Sequence, residues 1–119
     1  MEILLMVAII WLSQKLELPE AQMVRVSWYG PGLHGQTMAN GERFNRNDPQ
    51  TVAHRNLPFN TPVLFFCPEK QTGVVGFVRD RGPFIPGREF DLSEAGAEIL
   101  GFKNQGLATI QALVLSPPG

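Results

Sequence analysis

The stretch Gly73-Val74-Val75-Gly76-Phe77-Val78-Arg79-Asp80-Arg81-Gly82-Pro83-Phe84 decides how the chain is read. Val and Phe favour extended backbone, and Gly82-Pro83 interrupts it. The run therefore predicts a strand that ends at Asp80. Extension maintained to that point sets Arg79 and Arg81 on one face and Asp80 on the other, with Val74 and Val78. A carboxyl group set against apolar side chains has its charged form disfavoured, as a general acid near neutral pH requires. The same residues also suit a plain turn, because Asp ahead of Gly-Pro can bond its own downstream backbone.

Working outward, Val24, Val26 and Trp28 alternate with Arg25, Ser27 and Tyr29, a period-two strand pattern closed by Gly30-Pro31-Gly32. Asn40-Gly41 is a tight-turn pair. Thr61 to Cys67 and Gly106 to Leu115 are further strand-like runs. One short helix is expected after Asp91, which with Glu94 three positions later forms a capping box. Leu92, Ala95, Ile99 and Leu100 fall near one face of it, and Gly101 can close it in the left-handed conformation. The 119 residues hold 12 Gly and 10 Pro, a load that suits a turn-rich β protein. The expectation is an all-β chain with one or two short helices and a single compact domain over residues 23–116.

Residues 3–12 form a run of ten apolar residues followed by a polar spacer from Ser13 to Gln22. The run is short for a bilayer span and suits the core of an export signal. Segment 1–22 is therefore read as a signal peptide, cleaved near Ala21, or as a membrane anchor through residues 3–12. The alternative is an element packed on the domain. Glu2 replaces the usual basic flank. The formal charge of −1 supplies no field to gather nucleic acid, so a neutral or mixed partner such as a sugar is expected. Cys67 is the single cysteine, which excludes an intrachain disulfide, and it reads as a small buried hydrophobe. No ligand spacing around His34 or His54 supports a metal site, and no cofactor fingerprint is present.

Beside Asp80, two polar residues draw notice. His54 can share a proton with a carboxylate or bond a sugar hydroxyl, or else serve its own loop. Glu42, after the Asn40-Gly41 turn, matters if the fold brings it near Asp80. Trp28 and Tyr29 offer flat faces for sugar stacking, with core packing as the alternative and, for Trp28, an equal one.

Five segments then occur in order: Ser27-Trp-Tyr-Gly30, Thr37-Met-Ala-Asn-Gly-Glu-Arg-Phe44, Ala53-His-Arg-Asn-Leu-Pro-Phe59, Val78-Arg-Asp-Arg-Gly-Pro-Phe84 and Gly87-Arg-Glu-Phe-Asp-Leu-Ser93. Together they resemble the rare lipoprotein A family of septal lytic transglycosylases, over roughly Val24 to Leu115. The resemblance implies a six-stranded double-psi β-barrel, as in expansins. It also implies an exported or cell-envelope monomer that cleaves peptide-stripped peptidoglycan glycan strands, without metal or organic cofactor. It assigns the catalytic carboxyl to Asp80 and functionally important roles to His54 and Glu42, while Trp28, Tyr29 and Arg81 are expected to contact the substrate. Arg79 departs from the Asn that commonly stands beside the catalytic Asp. A lipobox cysteine and a C-terminal glycan-binding repeat are not seen, so a lipid anchor and targeting by that repeat are not expected. The alternatives are a non-catalytic expansin-like wall-binding module, and a β-glucan hydrolase with Asp91 or Glu89 as base.

Overall fold

The computed structural model describes residues 21–115. The apolar run 3–12, most of the spacer that follows it, and the last four residues lie outside them. Six strands follow in chain order: β1 (Gln22–Trp28), β2 (Thr51–Ala53), β3 (Pro62–Cys67), β4 (Thr72–Asp80), β5 (Phe90–Leu92) and β6 (Leu107–Val114), with one α-helix, α1 (Glu94–Leu100), between the last two. They close into a barrel in the order β1-β5-β2-β4-β3-β6, and β6 returns to β1. β1 with β5 and β2 with β4 are parallel; the other four pairings are antiparallel. This is a double-psi β-barrel.

The barrel interior follows from the alternation. Val24 and Val26 of β1, Val52 of β2, Val63 and Phe65 of β3, Val78 of β4, Phe90 and Leu92 of β5 and Ile110 and Ala112 of β6 meet in one buried cluster. Phe65 lies edge-on to Phe90, with ring centroids 5.1 Å apart. Cys67 joins this cluster as a buried free thiol. Gly76 is required where β4 passes β2, since a Cβ there would sit 2.7 Å from Val52 Cγ1. Strands β2 and β5 have three residues each, too few to show a period.

The helix starts two residues later than the sequence suggests. Asp91 belongs to β5, and the cap is Ser93, whose Oγ accepts from Gly96 N at 3.1 Å. Asp91 is drawn into the sheet because Asp91 pairs with both Ser27 and Ala53. Glu94 does not complete a capping box. Its carboxylate bonds Arg46 at 2.6 Å and Lys103 at 2.8 Å. These cations hold it below the ordinary carboxylate range, Lys103 most strongly. Gly101 ends the helix at φ +81° as expected.

Phe65 is fully buried at the centre of the barrel. Phe65→Ala removes its transfer energy and leaves a cavity, so it should lower the unfolding free energy by about 3–5 kcal/mol. Urea denaturation with an unchanged m-value checks this.

Candidate active site

Asp80 does not lie where an uninterrupted strand would place it. Along the β2–β4 ladder Val52 pairs with Val78, but Ala53 pairs with Asp80, so Arg79 is an extra residue on β4. This is a β-bulge, which re-aims the side chains that follow it. Val52 and Val78 belong to the barrel core, whereas Ala53 joins a second buried cluster with Tyr29, Met38 and Phe44. The bulge thus turns Asp80 away from Val78 and onto the Ala53 face. The expected apolar setting with Val74 and Val78 is replaced by a polar one.

Three donors converge on the Asp80 carboxyl group. Ala39 N and Arg81 N donate to Oδ1 at 2.8 and 2.9 Å, and the Tyr29 hydroxyl donates to Oδ2 at 2.8 Å. Oδ1 is filled by two backbone N–H groups, so Oδ2 is the oxygen with capacity to spare. Tyr29 is held in place by stacking on Phe44, with ring centroids 4.2 Å apart. Burial, then the Asp80 carboxylate, pushes the Tyr29 hydroxyl far above its ordinary value, so it remains a donor. Tyr29 is therefore the partner of Asp80, and its stacked ring does not offer the free face read from the sequence.

The Ala39 N–H comes from the hairpin around Asn40-Gly41, closed by a bridge between Thr37 and Arg43. Asn40 N also donates to the Arg79 carbonyl at 3.2 Å. Glu42 rides on this hairpin. It is exposed, and its carboxylate accepts from Asn40 Nδ2 rather than meeting Asp80 or His54 directly.

His54 follows Ala53, and its N–H donates to the Asp80 carbonyl at 3.2 Å. Its Nδ1 accepts from Asn56 N and Leu57 N at 3.2 and 3.1 Å, which assigns the proton of the neutral ring to Nε2. The ring lies 4.8 Å from Phe90. Burial, then the charges of Arg55 and Arg81, holds His54 below its ordinary 6.5 and keeps the imidazole neutral at pH 7. Arg81 Nη1 donates to the Leu57 and His54 carbonyls at 2.7 and 3.3 Å, and its guanidinium lies 4.1 Å over the Phe59 ring. Arg81 is thus committed to shaping the His54 loop.

Trp28 stands apart from these groups. It packs against the barrel core, and its Nε1–H donates to the Lys103 carbonyl at 3.0 Å. Arg79, where the sequence departs from the family pattern, donates to Asp48 Oδ2 and Thr51 Oγ1, both at 2.8 Å. It bonds neither Asp80 oxygen.

Sequence reasoning missed a second carboxyl group on this face, except as a hydrolase alternative. Asp91 pairs with Ala53 from the side opposite Asp80 and accepts from the buried Ser27 hydroxyl. Burial raises the Asp91 carboxyl above its ordinary value, against the pull of Ser27 and Arg88. The available signal was Ser27, a small polar residue inside an alternating apolar strand. Among the described residues, no group of three or more His, Cys, Asp or Glu is placed to hold a metal ion. No helix among them is long and apolar enough to cross a membrane.

A family model described as lytic transglycolase matches residues 21–112. The chain is 48% identical over 84 residues to the probable endolytic peptidoglycan transglycosylase RlpA of Synechocystis sp., covering 71% of this chain and 26% of that protein. It is 47% identical over 88 residues to the endolytic peptidoglycan transglycosylase RlpA of Rickettsia prowazekii, covering 71% and 27%. The Helicobacter pylori protein of the same name is 37% identical over 89 residues, covering 75% and 28%. The chain thus spans about a quarter of the length of the curated relatives it matches. Among solved structures, a Streptomyces papain inhibitor superposes with a TM-score of 0.65 at 17% identity, covering 83% of this chain and 97% of that one. An expansin of Clavibacter michiganensis superposes at 0.62 and 22%, covering 83% and 52%. These two are likenesses of fold alone. The match to the family model takes in β1 to β5, α1, most of β6 and every residue around Asp80, and the chain belongs to the lytic transglycolase family.

Proposed function

We propose that this chain is an endolytic peptidoglycan lytic transglycosylase, with Asp80 as its acid and base. The reading is carried by the bulge that turns Asp80 onto the Ala53 face, where two N–H groups fix Oδ1 and Oδ2 keeps Tyr29 as its donor. The names of the relatives support it, since each is named an endolytic peptidoglycan transglycosylase, the Synechocystis protein as a probable one. Peptidoglycan lies outside the cytoplasmic membrane, so the chain would act in the periplasm or cell envelope after export.

The substrate bond is the β-1,4 linkage between N-acetylmuramic acid and N-acetylglucosamine. A proton on Asp80 Oδ2 passes to the glycosidic oxygen as that bond breaks, and an oxocarbenium-like state develops at C1 of the muramic acid. The 6-hydroxyl of the same sugar attacks C1, and its proton returns to Oδ2. The product is a 1,6-anhydro ring, and no water is consumed. Oδ2 loses one proton and regains one, so a single carboxyl group completes the cycle.

Tyr29 remains protonated throughout and bonds Oδ2 after the proton has left. The neutral His54 offers Nε2–H to a sugar oxygen, held in register by the two N–H groups on Nδ1. Glu42 sits on the hairpin that supplies Ala39 N–H and would bond a sugar hydroxyl at the edge of the site.

Asp80→Asn keeps an acceptor for Ala39 N and Arg81 N and a donor toward the Tyr29 oxygen, so the fold should hold. Cleavage of peptide-free glycan strands, followed by mass spectrometry, should drop by a factor of about 10²–10⁴. Water-added ends in the wild-type products would replace this reading with hydrolysis, and intact strands with measurable binding would replace it with a module. Tyr29→Phe removes one hydrogen bond to a charged group and should lower kcat about tenfold and the thermal midpoint by several degrees. The His54 ring protons should titrate by NMR with a midpoint below 6.5.

A further inference from the structure

Seven large apolar side chains are exposed among the described residues, and they are unevenly placed. Met23, Leu33, Val75 and Ile99 are isolated on β1, a loop, β4 and α1. Single exposed apolar residues of this kind are ordinary. Phe59, Phe84 and Ile85 instead fall on the two loops that leave the His54 and Asp80 strand ends. Phe84 is 76% exposed and Ile85 54%, well beyond what packing on the barrel requires. Apolar surface gathered beside a reactive group marks a binding site.

The two loops are tied to each other. Arg55 Nη1, from the loop after β2, donates to the Pro83 and Arg88 carbonyls at 3.2 and 2.8 Å. In return Arg81, from the loop after β4, donates to the His54 and Leu57 carbonyls and covers one face of Phe59. The Phe84 ring folds back over Gly82, where a Cβ would lie 3.6 Å from its Cε2 atom. One edge of the ring therefore lies over Gly82, two residues beyond Asp80, and most of its surface is open.

Phenylalanine has no hydrogen-bonding group, so Phe84 can offer a ligand only apolar and π surface. The C–H face of a pyranose ring is the matching partner. We propose that Phe84, next to the exposed Ile85 on the same loop, is the platform on which a pyranose ring of the glycan strand stacks beside Asp80. The proposal rests on the glycan-cleaving reading and gives it a substrate-positioning residue. It takes the place of Trp28 and Tyr29, whose rings are occupied by the core and by Phe44.

The test uses the full chain and peptide-free glycan strands, with affinity measured by calorimetry and KM by release of anhydro ends. Phe84→Ala should weaken binding about tenfold and raise KM in step, with a smaller change in kcat. Phe84→Leu keeps apolar bulk without a flat face and should weaken binding in the same direction. Phe84→Trp should bind at least as tightly as wild type, and Ile99→Ala, a loss of exposed apolar surface elsewhere, should leave affinity unchanged. Wild-type affinity and KM in Phe84→Ala, or in Phe84→Leu, would overturn the platform, as would a wild-type chain that does not bind the strands. Binding that depends on Phe84 without any anhydro ends would leave the platform standing and remove the lyase.

Discussion

The β-bulge at Arg79 is where the barrel and its chemistry meet. A strict ladder would carry Asp80 onward in alternation with Val78, into a closed core that has no donor for a carboxylate. Burying that charge unpaired would cost several kcal/mol. One extra residue on β4 moves it to the face of Ala53 instead. There the small side chain of Ala53 leaves room, and Tyr29, Ala39 and Arg81 supply the three donors. The bulge in turn depends on β2 being pinned on both sides, by β4 at Phe77, Val78 and Asp80 and by β5 at Asp91 and Leu92.

Division of labour between the two carboxyl oxygens follows from this placement. Backbone N–H groups on Oδ1 cannot titrate or rotate away, so they fix the plane of the carboxyl group. The Tyr29 hydroxyl on Oδ2 can turn, as the proposed proton transfer requires. Positioning of this kind before the substrate arrives is what makes electrostatic help inexpensive at the moment of reaction. Asp91, across Ala53, is engaged instead by the Ser27 hydroxyl.

Much of the barrel was legible because its long strands carry their own signals. The Val24–Val26–Trp28 alternation, the apolar run to Cys67 and the Val- and Phe-rich run to Asp80 all became strands. Strands β2 and β5 were not legible, because three residues have no period and owe their extension entirely to neighbours. For the same reason Asp91 reads from sequence as a helix cap, although it lies within β5 and Ser93 is the cap. The site was legible as a list of residue types and not as a geometry. Alternation put Asp80 on the wrong face because a bulge leaves no mark in the sequence of its own strand. Trp28 and Tyr29 looked equivalent as neighbouring aromatics, yet Trp28 points into the core and Tyr29 lies beyond the strand end with its hydroxyl on Asp80. The role of Ala39 was invisible, since its contribution is a main-chain N–H delivered by a hairpin from forty residues away.

The reciprocal arginines have a consequence for how this barrel can be altered. Each guanidinium takes its acceptors from the segment opposite, so neither segment is self-contained: Arg55 without the Pro83 and Arg88 carbonyls, or Arg81 without those of His54 and Leu57, is a cation stripped of its seat. Loop grafting, the usual route to new specificity on a rigid scaffold, would here have to transplant both segments as one cassette.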